Sequence, residues 1–507
     1  MSQKDECSVI GSNFGGFDMT FILQSNMKPY RILLLLSSLL VFTYADNTTQ
    51  EPTTTAPPIC ETCTCKNDTK TLDCSNKEMK TWLTQAEWAQ VNNTFEILRF
   101  DHNDFETVDV FPILNVKQLI LSHNQIVKIA VGAFKNLQQL VSLDLSYNNL
   151  TSQNLRPEAF EGRYSPENYE PIPNLAELNL AHNNLHTLDQ DLFEHFPALE
   201  KLILNNNVFK LIDHQTTIAI SNIFDLKHLD MSYTELRDIP EYIFHAPRSL
   251  QVLDLRGNLF KTIPAALTHA INLTQLYLDE NPFEDFGGDN VFPFLLNLKN
   301  LTLTEIETLK KIGKGTFSGL VALKELHIEG CLHLAEIDPQ ALCLPGSDGR
   351  PSYPPIEKLN LRRNNLSSLD HGLLARWDQV KLEVSQNAWD CQCENEWLIH
   401  DLYPQIRQDN EKAALEMQCA TPSYLKGIPF EKVYQDKNFL RCPDANGNHP
   451  ENDGKLLMGL LIGLLIGIPL AMGFVLIYKR GCFGLFGSYN YEHSRALYKR
   501  ASFNEDY

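Results

Sequence analysis

The sequence predicts an α/β solenoid with a cysteine-rich cap at each end and one transmembrane helix. Three observations lead there: an apolar pattern recurring about every 24 residues, two cysteine clusters bracketing it, and a 23-residue run without a charge near the C-terminus. The chain has 507 residues, 43% of them hydrophobic and 21% charged. That apolar fraction excludes wholesale disorder. With 63 acidic against 43 basic residues the net charge is −20, which excludes non-specific binding to nucleic acid or anionic lipid, since both need a basic surface.

The elements follow in chain order. Residues 1–45 read as a secretory signal peptide with an N-terminal extension. The apolar core Ile32–Tyr44 follows Lys28 and Arg31, ends near the small residue Ala45, and is too short to cross a hydrocarbon core of about 30 Å. Met27 is the natural start of that signal. A Thr/Pro-rich linker occupies 46–59 and an N-terminal cysteine cap 60–94. About eleven repeats fill 95–386, a C-terminal cysteine cap 387–442, and a juxtamembrane linker 443–455. The run 456–478 is long enough at 1.5 Å per residue to span a bilayer, and Lys479-Arg480 follow as a stop-transfer signal that puts the tail, 479–507, in the cytosol. Gly459, Gly463 and Gly467 recur every four residues within the span, a spacing that suits a homodimer contact.

The repeat itself reads Val116-x-x-Leu119-x-Leu121-x-x-Asn124-x-Ile126. It returns as Leu140…Leu143-Asp-Leu145…Asn148-Asn-Leu150 and as Leu175…Leu178-Asn-Leu180…Asn183-Asn-Leu185. Further copies begin at Leu199, Leu226, Leu250, Leu273, Leu298, Leu323 and Ile356, with a divergent first copy at Phe95. This is the leucine-rich repeat signature. Each x-L-x-L-x stretch is a short strand with leucines inward and the intervening residues outward. One repeat cannot bury its own apolar row, so neighbours stack into a horseshoe with strands on the concave side. The asparagine satisfies turn backbone. Thr234, Ile306 and Cys331 replace it in three copies. Two steps are long, and their extra residues, Arg163–Pro171 and Leu344–Tyr353, are expected as surface loops.

An open solenoid needs caps. Cys60-x2-Cys63-x-Cys65-x8-Cys74 precedes the first repeat. Asn387-Ala-Trp389-Asp-Cys391-Gln-Cys393, then Trp397-Leu398, Cys419 and Cys442, follow the last. These resemble the cysteine caps of extracellular leucine-rich repeat proteins, and the layout as a whole is similar to that of Tartan/Capricious-like adhesion proteins and trophoblast glycoprotein. Spacing alone leaves three pairings open in each cap. The resemblance implies Cys60 with Cys65, Cys63 with Cys74, Cys391 with Cys419, and Cys393 with Cys442. A secretory route favours disulfides over zinc. Cys331 and Cys343 are expected to form a fifth bridge. Asn47, Asn67, Asn92, Asn149, Asn272, Asn300 and Asn365 are sequons ahead of the span, and Asn300 falls on a concave strand.

One stretch imitates a kinase. Ile312-Gly-Lys-Gly-Thr-Phe-Ser-Gly resembles a glycine-rich loop, Val321-Ala-Leu-Lys324 a strand lysine, and Asp285-Phe-Gly287 a metal-binding turn. Their order is wrong, no H-R-D loop exists, and every piece lies in repeat phase. No enzyme and no cofactor or metal is implied.

Function is therefore expected on the concave face. Its outward positions include Arg99, Asp101, Asp144, Glu177, Asp230, Asp254, Arg256, Tyr277, Asp279, Glu325 and His327. Tyr277 and Arg256 are the best anchors, and the acidic balance suits a protein partner with a basic patch. His123, Tyr147, His182 and Tyr233 form a second column assigned to scaffold. The tail carries Tyr489, Tyr491, Tyr498, Tyr507 and Ser502, and Cys482 is a palmitoylation candidate; signalling would pass through cytosolic adaptors. These observations predict a type I plasma-membrane receptor for recognition or adhesion, binding an extracellular protein ligand or cell-surface receptor and no nucleic acid. The alternative is a membrane-tethered modulator or co-receptor of a secreted growth factor or another receptor.

Overall fold

A computed structural model describes residues 59–479 apart from 92–93, 166–167, 346–350, 437–439, 441 and 443–449. The signal segment, Asn47, Asn92, Cys482, Ser502 and the tail tyrosines lie outside the described residues.

Fourteen strands form one sheet in sequence order, from Thr64–Lys66 to Lys381–Glu383. Only the first pair, Thr64–Lys66 with Thr71–Asp73, is antiparallel; every later pair in this sheet is parallel. Each repeat strand is three residues long, and its central leucine is in register with the next: Leu72, Leu98, Leu119, Leu143, Leu178 and so on to Leu382. All are buried, so the period-2 alternation sets which face is core. Lys381–Glu383 is a further strand beyond those of the repeats starting at Phe95 through Ile356, and it leads the sheet into the C-terminal cap.

The long steps leave the register untouched. Ser142–Asp144 pairs directly with Glu177–Asn179 although the intervening chain is long. The extra residues fold out as hairpins, Arg163–Ser165 on Asn168–Glu170 and Leu344–Pro345 on Pro351–Ser352.

The return side is less helical than an α/β solenoid implies. It holds 3-10 turns such as Pro157–Phe160 and Ala265–His269, and two-residue parallel strands such as Asp285–Phe286, Lys311–Ile312 and Glu336–Ile337. Within the repeats, among the described residues, it holds one α-helix of eight residues, His214–Ser221. Repeats of about 24 residues leave too little chain for a full crossover helix, and the fold is a β-solenoid. The kinase-like glycines find their reason here. Asp285–Phe286 pairs with Lys311–Ile312, and a Cβ on Gly313 would stand 2.8 Å from the Phe286 carbonyl and 3.3 Å from Gly287 Cα. They permit two backbones to touch. Ile312, Phe317 and Leu320 are buried.

Both caps close the apolar rows. Cys60–Cys65 and Cys63–Cys74 bind the N-terminal hairpin, and Trp82 stacks on Phe105 at 4.1 Å. Cys391–Cys419 and Cys393–Cys442 bind the C-terminal cap around the fully buried Trp389, whose indole N–H donates to the Val384 carbonyl. The fifth bridge does not form. Cys331 and Cys343 are free thiols. Cys331 stands at a ladder position, where its Sγ turns inward and donates to the Leu303 carbonyl at 3.3 Å, away from the loop that holds Cys343. Burial pushes its thiol up to about 12. Helix Pro450–Lys479 includes an apolar stretch, Gly454–Lys479, of mean hydropathy 2.7, long and apolar enough to cross a membrane.

Candidate functional site: the concave face and its rim

The face is positioned by buried asparagines. Asn124, Asn148, Asn183, Asn207, Asn258, Asn281, Asn364 and Asn387 each donate Nδ2 to a carbonyl of their own repeat and to one of the repeat before. Their Oδ1 accepts a backbone N–H from that earlier repeat, as Ile126 gives to Asn148 and Leu185 to Asn207. Where Thr234 interrupts the series, its hydroxyl donates to the Met231 carbonyl at 2.8 Å. Buried backbone groups are thereby paired at each turn. The residue just before the ladder position sits at positive φ, between 52° and 56° at His102, His123, Tyr147, His182 and, ahead of Thr234, Tyr233.

Outward residues fall into lateral rows one strand apart. One row runs Asn179, Ile203, Asp230, Asp254, Tyr277, Thr302 and His327, with Lys201, His228, Val252 and Gln275 in the row beside it. Three of the candidate carboxylates turn inward. Asp101 is 4% exposed and is held by Arg99 at 3.1 Å and His102 at 3.0 Å. Asp279 is 6% exposed and accepts from the Thr302 hydroxyl and from the Thr304 N–H and hydroxyl. Asp254 is 5% exposed and grips the Arg256 guanidinium, with Nε 2.9 Å from Oδ2. These three orient their neighbours. Asp144 caps Ser146 N–H, Glu177 pairs with Lys201 at 2.6 Å, and Glu325 lies 3.4 Å from His327. Burial pushes the Asp230 carboxyl above its ordinary range and lowers His228.

Arg256 and Tyr277 come together. The guanidinium lies 5.2 Å from the Tyr277 ring centroid, and the phenol donates to Gln275 at 2.9 Å. The bond to Asp254 raises the Arg256 pKa and fixes its plane. Half-buried Val252 lies beside this group, opposite Gln275, and half-buried Ile203 stands in the Asp254–Tyr277 row two strands away from Asp254. They lie at alternate positions of the strand pattern and were readable there; ranking by charge and aromaticity passed them over. The open centre is thus an anchored cation and phenol beside one aliphatic side chain, less acidic than the residue types suggest.

The rim column is a continuous stack. His102 on His123, His123 on Tyr147 and Tyr147 on His182 have centroids 4.3, 4.1 and 3.8 Å apart with planes within 15°. His102 completes it and belongs to the divergent first repeat. Burial, then the charge of His123, lowers His182. Tyr233 instead crosses Gly257 to donate to Glu280 at 2.7 Å, and burial and that bond push its pKa up to about 12.

A model for leucine-rich repeats matches residues 115–163, 173–227 and 224–283, and one for a BspA-type leucine-rich repeat region matches 285–343. The matched stretches are leucine-rich repeats. Among curated relatives, keratocan of Gallus gallus is 30% identical over 199 residues, covering 39% of this chain and 51% of keratocan. Podocan of Mus musculus is 32% identical over 233 residues, covering 42% of this chain and 36% of podocan. The chain therefore spans about half the length of keratocan and about a third of podocan. Among solved structures, a Toll–Spatzle complex chain is 20% identical with TM-score 0.45, over 72% of this chain and 57% of that one. A chain of an octameric complex of Latrophilin 3, Unc5D and FLRT2 is 18% identical with TM-score 0.40, over 75% and 99%.

Proposed function

We propose that this leucine-rich repeat chain is a type I cell-surface recognition or adhesion receptor whose concave face binds an extracellular protein. The Arg256–Tyr277 pair carries the reading. Arginine and tyrosine favour binding hot spots, and here both are held in place before a ligand arrives, which reduces the ordering cost of association. Val252 supplies apolar area beside them. Four cap disulfides support an extracellular location for the solenoid, and Gly454–Lys479 supports a membrane anchor.

The test is a binding screen of soluble ectodomains against cells displaying the full chain, repeated with Tyr277→Ala and Arg256→Ala. Each variant is expected to lose about 2 kcal/mol, roughly thirtyfold in affinity, as for truncated hot-spot residues. Undiminished binding by the double variant refutes the concave assignment. Aggregation of cells carrying the chain supports adhesion; loss of a soluble factor's signal without aggregation supports the modulator reading.

A further inference from the structure

The flank of repeats seven to nine exposes a row of apolar side chains where the chain enters each strand. Ile271 is 51% exposed, Leu296 59%, Val321 39%, and Phe294, two residues before Leu296, 64%. Ile271, Leu296 and Val321 hold equivalent positions in successive repeats, two residues ahead of Leu273, Leu298 and Leu323, so they lie side by side. A contiguous apolar patch of this kind on a monomer is normally covered.

A sequon lies inside this patch. Asn272 follows Ile271 directly, with Thr274 completing the triplet. Its amide is held at both ends: Nδ2 donates to the Arg248 carbonyl at 2.8 Å, and Oδ1 accepts from Asn297 Nδ2 at 3.4 Å. Asn297 also donates to the Ile271 carbonyl at 3.0 Å, which ties the Asn272 side chain to the strip between Ile271 and Leu296. Asn67, Asn149 and Asn365 are exposed as well, yet none has such a side-chain clamp among the described hydrogen bonds. N-glycosylation replaces one amide hydrogen and leaves the other, so one donor remains for Arg248.

We propose that Asn272 carries an N-linked glycan whose first sugars lie along Ile271, Leu296 and Phe294, covering this apolar flank. A sugar ring presents C–H groups on its faces and hydroxyls at its edge, so it can remove apolar carbon from water on one side and stay hydrated on the other. The clamped amide directs the first ring, and the concave face is left open. The assignment rests on the extracellular reading of the solenoid, because glycosylation takes place in the secretory route.

The experiment uses the full chain expressed in animal cells. Glycopeptide mass spectrometry measures occupancy at each sequon, and a peptide:N-glycosidase applied to the native protein measures the release rate site by site. Asn272 should be occupied and released about tenfold more slowly than Asn149 and Asn365, the factor given by withdrawing roughly 55 Å² of apolar surface from water. Ile271→Ser with Leu296→Ser should bring its release up to theirs. Unchanged release at Asn149 and Asn365 in that variant shows that its fold is intact. An empty Asn272 beside occupied Asn149 and Asn365 overturns the inference, as does wild-type release as fast as at those sites. If Asn272 is empty and the double serine variant abolishes a crosslinked dimer, the patch belongs to a second copy and the inference also fails. If no sequon is occupied, the extracellular reading fails with it.

Discussion

Replacing Asn258 by alanine measures how much one ladder amide holds. Asn258 is 2% exposed. Its Oδ1 accepts the N–H groups of Thr234 at 3.1 Å and Leu236 at 3.0 Å, and its Nδ2 donates to the carbonyls of Met231 and Leu255, both at 2.9 Å. In Asn258→Ala the Met231 carbonyl keeps the Thr234 hydroxyl. The Leu255 carbonyl likewise keeps the Asn281 amide at 3.0 Å, so the N–H groups of Thr234 and Leu236 are the two left buried and unpaired. At about 1–2 kcal/mol for each such group the loss is about 2–4 kcal/mol. Urea unfolding of the solenoid followed by tryptophan fluorescence should show the midpoint fall, and hydrogen exchange should accelerate first around residues 231–258. Asn149→Ala is the control: that side chain is exposed, and its loss should stay within about 0.5 kcal/mol. An Asn258→Ala loss no larger than the control's would refute the view that the amides, rather than the leucines alone, complete the turns.

Alkylation of the native protein at pH 8.5 should label Cys343 and spare Cys331, whose thiol is buried and pushed up to about 12; a chain in which neither is labelled would show them bonded. Asp101 bears on acid stability. Burial alone would raise its carboxyl, and the bonds from Arg99 and His102 outweigh that and hold it below the usual carboxylate range. A depressed native pKa gives stability that is present above the unfolded value, near 3.9, and is lost as pH falls through the native one. Asp101→Asn should therefore be less stable than wild type at pH 7, with the gap closing in melts between about pH 5 and pH 2. The cap bridges differ in reach: Cys393–Cys442 spans 49 residues and Cys60–Cys65 spans 5. Chain entropy gives the first about 4 kcal/mol and the second about 2 kcal/mol, so paired serine substitutions should lower the denaturation midpoint about twice as far at the C-terminal cap.

Properties that run along one strand were legible in the sequence, and those that run across strands were not. The period-2 leucines place Leu119, Leu143 and Leu178 inward whatever the neighbouring repeat contains, and the asparagine follows them at fixed spacing. Lateral contacts depend instead on which residues share a row, and the long steps before Leu175 and Ile356 obscure that. The insertions fold out as hairpins without shifting register, so Tyr147 and His182 still stack across the first of them, while Arg256 and Tyr277 meet across two adjacent strands. The expected Cys331–Cys343 bridge failed for a related reason: closeness in sequence said nothing about the inward direction that a ladder position imposes. Asp101, Asp254 and Asp279 look like open charge in the pattern, but each lies next to a donor that consumes it.

The ladder also has a direction. Every asparagine reaches back to the repeat before it and none reaches forward, so each turn is completed by a side chain synthesised about 24 residues later. A nascent chain leaving the ribosome therefore always ends in an unfinished turn, and folding trails synthesis by one repeat until Asn387 closes the series and the C-terminal cap locks it. The two ends tolerate damage unequally. Cutting repeats from the N-terminal side opens an apolar row and strand N–H groups such as that of Lys201, but the asparagine it strands can turn to water. Cutting from the C-terminal side opens strand groups in the same way and also strands the turn N–H groups that the next asparagine completes, so C-terminal truncations should destabilise the remaining repeats more than N-terminal ones of equal length.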